Sequence, residues 1–163
     1  MSVRWDELGH HRPIAEWALG CLVIWHQRAE TTGGMLAMAE VVLPRGAELP
    51  QHVHAREDEL CYVLDGELTV RRGLDRIQVG PGASVWLPRG IPHGLAVRTA
   101  QARLLVLITP AGVERAHRAF ATAAPELAPP PPGLCHPRAA EVEAEFAHYG
   151  VLLGGSSPNR LEG

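Results

Sequence analysis

Between residues 20 and 109 the chain is a succession of short apolar runs, each broken by glycine, proline or charge. GCLVIWHQR (20–28), MLAMAEVVL (35–43), ELCYVL (59–64) and ELTVRR (67–72) read as β-strands. So do LDRIQV (74–79), SVWLP (84–88), HGLAVRT (93–99) and ARLLVLIT (102–109). Runs of this length, rich in β-branched residues and bounded by turn formers, favour strand over helix. The breaks carry their own chemistry. TTGG (31–34) predicts a hairpin turn, PRGAELP (44–50) a Pro/Gly connection, and GPG (80–82) a further turn. Asp65-Gly66, set between two alternating runs, predicts a tight hairpin joining 59–64 to 67–72. Regularly spaced short strands with such turns predict an all-β sandwich or barrel. Ahead of them, residues 1–18 are a mixed lead-in, with IAEWAL (14–19) as a short turn or an arm.

Helical spacing begins only after Pro110. In 112–121, Val113, Ala116 and Phe120 recur at helical intervals. The prolines of 129–132 form a stiff spacer. Pro137 and Gly150 then bracket RAAEVEAEFAHY (138–149), a second predicted helix with Val142, Phe146 and Tyr149 on its apolar face. At 163 residues the chain fits one domain. The expectation is a barrel over about residues 20–110, an N-terminal arm (1–19) and a helical tail (111–163). The tail should pack outside the barrel or near its mouth.

Strand alternation predicts the lining. If Glu59 points inward, Cys61 and Val63 follow and Tyr62 points out. If His93 points inward, Leu95 and Val97 do as well. Neither parity is favoured over 35–43. The interior is then mostly apolar. Trp25 and Trp86 are candidates for a cavity wall or for the core.

Composition narrows the chemistry. The net charge of −3 gives no general attraction to nucleic acid or an anionic membrane. All fifteen Lys+Arg residues are arginine, so no lysine is available as a Schiff base or general base. No apolar stretch is long enough to span a bilayer, and the first residues lack the apolar segment of a signal peptide. Cys21, Cys61 and Cys135 are odd in number and scattered, which predicts a reduced, cytoplasmic protein.

The chemistry itself concentrates in GAELPQHVHAREDELCYVLDG (46–66). His52 and His54 are two apart and share a strand face; Glu59 begins the next strand, and His93 follows in GASVWLPRGIPH (82–93). Three imidazoles and a carboxylate around one centre suit a divalent transition metal. Glu57 and Asp58 could be mistaken for the carboxylate ligand, but they read as a solvated acidic pair on the connecting loop. Cys61 is a candidate for a redox or supporting role, or a small buried hydrophobe. His10, His11, His26, His117, His136 and His148 lack ligand spacing and are assigned no chemistry.

The spacing of Gly46, His52, His54, Glu59 and Gly66 resembles the first motif of the cupin superfamily. Gly82, Pro88, Gly90 and His93 resemble the second, with Val97 where that motif ends in asparagine. The tail also resembles that of small bacterial cupins described as quercetin-dioxygenase-like. The resemblance covers about residues 20–110. It implies a jelly-roll (double-stranded β-helix) barrel with His52, His54, Glu59 and His93 as ligands to one Fe, Mn, Ni, Cu or Zn ion per chain. It further implies an oxygenase acting on a small apolar, aromatic or enolic compound, with Glu59 as a catalytic base. Two other classes stay open: a metal-assisted isomerase, cyclase or lyase, and a non-enzymatic small-molecule-binding cupin. A homodimer is expected, with Trp5, Trp17 and strand 20–28 as the interface.

Overall fold

The computed structural model describes residues 12–134 and 136–154; Trp5, His10, His11, Cys135 and the end of the tail lie outside them. The described chain opens with β1 (Ile14–Ala18), β2 (Cys21–Gln27), α1 (Ala29–Thr32), β3 (Ala37–Pro44), β4 (His52–His54) and β5 (Asp58–Asp65). It continues through β6 (Leu68–Arg72), β7 (Asp75–Val79), β8 (Ser84–Leu87), β9 (His93–Val97) and β10 (Gln101–Thr109). Last come α2 (Glu114–Arg118), β11 (Thr122–Ala123), α3 (Ala139–His148) and β12 (Val151–Leu153). Two antiparallel sheets face each other as a jelly roll. One runs β11-β1-β2-β3-β10-β5-β8 and the other β12-β4-β9-β6-β7. No helix among the described residues is long and apolar enough to cross a membrane.

Alternation sets the inward faces as predicted on β5 and β9. Cys61, Val63 and Val97 are buried, while Tyr62 and Leu64 are exposed. On β3, where neither parity was favoured, Ala37, Ala39 and Leu43 turn inward. Trp25 is buried in the core, whereas Trp86 sits outside on β8, 46% exposed, and is no part of a cavity wall.

Four expectations change. The segment expected as an arm contains β1, which pairs with β2 from Ile14↔Trp25 to Ala18↔Cys21. TTGG is no simple hairpin turn: β2 and β3 do pair, but one turn of helix joins them, ended by Gly33 in the left-handed conformation. Asp65-Gly66 is no hairpin either, because β5 and β6 belong to different sheets. Gly66 is a corner where the chain crosses from one sheet to the other. Its φ is +82°, and a Cβ there would lie 2.6 Å from the Gln101 carbonyl oxygen and 2.8 Å from Ala102 Cα. Turn chemistry thus marked the reversal correctly but not the strand's partner, which long-range packing selects. The tight hairpin of this region instead joins β6 to β7 through Gly73 and Leu74.

The fourth change concerns the tail. Besides its two helices it supplies β11, which extends the sheet beside β1, and β12, which pairs with β4. The tail also covers Trp17, whose indole N–H donates to the Ala128 carbonyl at 2.7 Å. Trp17 is buried inside its own chain, and β2 lies between β1 and β3. Trp17 is therefore not open to a partner, and both edges of β2 are already paired. α2 is pinned at its start by Glu114, a fully buried carboxylate that accepts from Ala29 N at 2.8 Å and from Gly112 N.

Candidate metal centre

β4 is only three residues long, and neighbours on both sides hold it. β12 pairs along its full length (Val151↔His54, Leu153↔His52), and on the other side His52 lies opposite His93 of β9. Beyond its end, Gly90 N donates to the His54 carbonyl at 2.8 Å. His52 and His54 therefore point to one face, and His93 joins them from the adjacent strand. The facing sheet contributes Glu59 from β5. The four ligand-capable atoms all lie within 4.8 Å of one another. Glu59 Oε2 is 3.6 Å from His54 Nε2 and 3.8 Å from His93 Nε2.

Hydrogen bonds behind the rings settle which nitrogen faces the centre. His52 Nδ1 donates to the Pro50 carbonyl at 2.8 Å, and His93 Nδ1 to the Ile91 carbonyl at 3.0 Å. A carbonyl can only accept, so both rings carry their proton on Nδ1 and turn an Nε2 lone pair inward. His54 Nδ1 lies 3.3 Å from Glu57 Oε2, an acceptor of the same kind. Three imidazole lone pairs then converge beside a carboxylate. His93 Nε2 is fully buried and has no hydrogen-bond partner. A buried, orphaned nitrogen carries a desolvation cost that a cation at this point would remove. The donor set fits a divalent transition ion.

Charge favours the same state. Burial, then the neighbouring His93, push His52 down to about 4, so it is neutral at pH 7. Burial alone would raise the Glu59 carboxyl, but His93, His54 and His52 in their protonated forms outweigh it and hold the group well below the usual carboxylate range; with the rings neutral and their lone pairs inward, a bound cation would take over that role. Behind Glu59, the Cys61 thiol donates to Oε1 at 3.2 Å. Burial and the Glu59 charge keep that thiol protonated, with its pKa raised well above the ordinary value. Cys61 therefore occupies one carboxylate oxygen and leaves the other for the centre.

The cluster's place in the fold identifies the domain type. Residues 39–109 match the Cupin domain family. The chain carries a cupin domain. Its fold is shared with KdgF from Halomonas sp., at 22% identity and TM-score 0.53 over 59% of this chain and 84% of that one. An RmlC-like cupin from Shewanella frigidimarina matches at 22% identity and TM-score 0.52, over 64% of this chain and 86% of the other. A predicted oxalate decarboxylase from Thermotoga maritima matches at 20% and 0.52, over 68% and 99%. No curated protein matches the chain.

The cluster opens onto a cavity between the sheets. The walls are chiefly aliphatic, from β2, β3 and β10, with Trp25 and Phe146 as the aromatic members. Phe146 belongs to α3, so the tail closes the barrel and helps to line it.

Three residues here differ from the sequence reading. Glu57 is not a solvated loop acid: it is 4% exposed and stands behind His54. Asp58 stays at the surface but begins β5 rather than lying on a loop, and Arg89 grips it through Nε, through Nη2 at 2.7 Å, and through its backbone N–H at 2.8 Å. A backbone bend aims Glu57, and no residue period encodes that. His117, assigned no chemistry, lines the cavity. A signal for it existed: 113, 116, 117 and 120 form one helical face, and the apolar members of that face were already in view.

Proposed function

We propose that this cupin is a metal-dependent oxygenase acting on a small, apolar, aromatic or enolic compound, with His52, His54, Glu59 and His93 as the ligands to one divalent ion. The observation that carries the reading is the convergence of three inward-facing Nε2 lone pairs and an ionised carboxylate at the edge of an apolar cavity. Fe, Mn, Ni, Cu or Zn would supply Lewis acidity there, and for the redox-active ions a place for dioxygen, because four protein ligands leave up to two positions on an octahedral ion. The chain's own part is to hold and orient. The carbonyls of Pro50 and Ile91 lock two imidazoles, Glu57 steadies the third, and Cys61 restrains Glu59. The aliphatic wall excludes water and orders an apolar substrate. Glu59 is also our candidate base: on leaving the ion transiently, its carboxylate would accept a proton from an enol or phenol.

The same Glu59 supports a second reading, a metal-assisted isomerase, cyclase or lyase in which proton transfer alone is the chemistry. Elemental analysis of protein purified without added metal comes first, followed by oxygen uptake with a panel of flavonols and enols. Turnover that stops without O₂ supports the oxygenase. Undiminished anaerobic product formation leaves the isomerase or lyase. Tight binding with no turnover leaves a binding cupin. His52→Ala should lose its metal, and Glu59→Gln should lose turnover while keeping part of it.

The free thiols of Cys21 and Cys61 support a cytoplasmic setting. A homodimer remains our reading of the assembly, with the outward face of β5 and β8 as its contact. Tyr62, Leu64 and Trp86 are exposed there. A monomer by light scattering at micromolar concentration would count against it.

A further inference from the structure

Among the described residues, α2 carries the one histidine that lines this cavity from outside the metal cluster. Its placement is built rather than incidental. Val113 and Ala116 are fully buried beneath the helix, and Glu114 ties its first turn to Ala29 and Gly112. The His117 ring packs edge-on against Phe146 at 4.9 Å between centroids and against Trp25 at 6.4 Å. Two aromatic neighbours from different elements thus orient the imidazole. Yet among the described residues no hydrogen bond or ion pair reaches it, although His26 on the outer face pairs with Glu40 at 3.1 Å.

The other polar groups of the lining are all committed. Glu48 accepts from Gly46 N and from Val97 N, each at 2.7 Å. His52, His54 and Glu59 belong to the cluster. His117 is left as a polar group of the cavity with open hydrogen-bonding capacity, set in an apolar wall within electrostatic reach of Glu59 and His54. An imidazole both donates and accepts, and this half-buried ring can offer both to a molecule in the cavity.

We infer that His117 is a substrate-binding residue, giving the cavity's occupant its second polar contact. The ligand is then two-ended: an oxygen donor for the metal, an apolar or aromatic body, and a separate hydroxyl or carbonyl for His117. This rests on the metal-anchored reading proposed above. It narrows that reading from any apolar compound with an oxygen donor to one bearing a further polar group on its body.

The probes are benzohydroxamate, a bidentate oxygen ligand for metals, and its three ring-hydroxylated isomers, titrated calorimetrically into the Zn(II)-loaded full chain. At least one isomer should bind the wild-type protein about tenfold more tightly than the parent, the worth of one good hydrogen bond. That preference should vanish in His117→Phe, which keeps the aromatic packing, and survive in part in His117→Gln; parent affinity and zinc content should not change. In wild-type protein the His117 ring ¹⁵N signals, assigned by their loss in His117→Gln, should move with the favoured isomer and not with the parent. Isomers all within twofold of the parent, a preference that persists in His117→Phe, or unmoved ring signals would each overturn the inference and leave the metal anchor standing. Failure of the parent to bind the zinc-loaded protein would instead overturn the metal-anchored reading, and the inference with it.

Discussion

Glu57→Gln is the sharpest probe of how the centre is held. The substitution keeps shape and removes a charge at a buried site whose direct partner is His54 Nδ1 at 3.3 Å. An ionised carboxylate can only accept, so it enforces the Nδ1–H tautomer that frees Nε2. An amide can turn its NH₂ toward Nδ1 instead and favour the tautomer that cannot ligate. The lost charge also lowers the basicity of the imidazole. Partners of this kind are worth about 10- to 100-fold in metal affinity. The bond is longer than the usual range of about 2.7–3.2 Å, which points to the lower end: tenfold, or about 1.4 kcal/mol. Without metal the variant should melt no lower than the wild type, because the amide is less costly to bury than the carboxylate. Competition of Zn(II) or Co(II) against a chromophoric chelator gives the affinity, and a thermal melt of the stripped protein gives the stability. Asp58→Asn is the control: the neighbouring acid is committed to Arg89 and should leave affinity unchanged. If Glu57→Gln bound metal within threefold of wild type, the assigned role would be refuted.

Gly66→Ala should destabilise the metal-free protein by about 2–4 kcal/mol, since alanine must adopt φ +82° and push its Cβ into the backbone of β10; a melt within 1–2 °C of wild type, about the effect of half a kcal/mol in a chain this size, would contradict the corner geometry. Acid should destabilise the metal-free protein between about pH 6.5 and pH 4. Burial lowers both His52 and His117 to about 4, so the unfolded chain takes up protons that the folded one refuses. Stability from the neutral rings is complete above the unfolded value and is lost as pH falls toward the folded one, up to about 2 kcal/mol per ring at pH 5. A melting temperature unchanged from pH 7 to pH 5 would contradict it.

The grouping of His52, His54, Glu59 and His93 was legible in large part because it depends on local rules. Residues two apart on a strand share a face, which puts His52 with His54 and Cys61 with Glu59, wherever the strand ends up. Motif glycines mark backbone that an L-residue resists, and Gly46, Gly66, Gly82 and Gly90 all have positive φ. Alternation likewise separated Val63 from Tyr62 and Leu95 from its outward neighbours.

Tertiary structure decided everything that depends on which surfaces meet. Asp65-Gly66 signalled a reversal, but the packing of β10 against Gly66 sent the chain to the other sheet. VLL near the end of the chain bears no mark that would match it to HVH, a hundred residues earlier, yet β12 on β4 holds the histidine pair in place. Trp17 looked available for a partner until the tail folded over it. Glu57 and His117 became parts of the centre and its cavity only when a bend and a docked helix brought them there. Side-chain direction along a strand is set by bonded geometry and can be read from a few residues. The choice of neighbour is set by apolar burial, which is non-directional, so nearly interchangeable hydrophobic runs record it and only the assembled core distinguishes them.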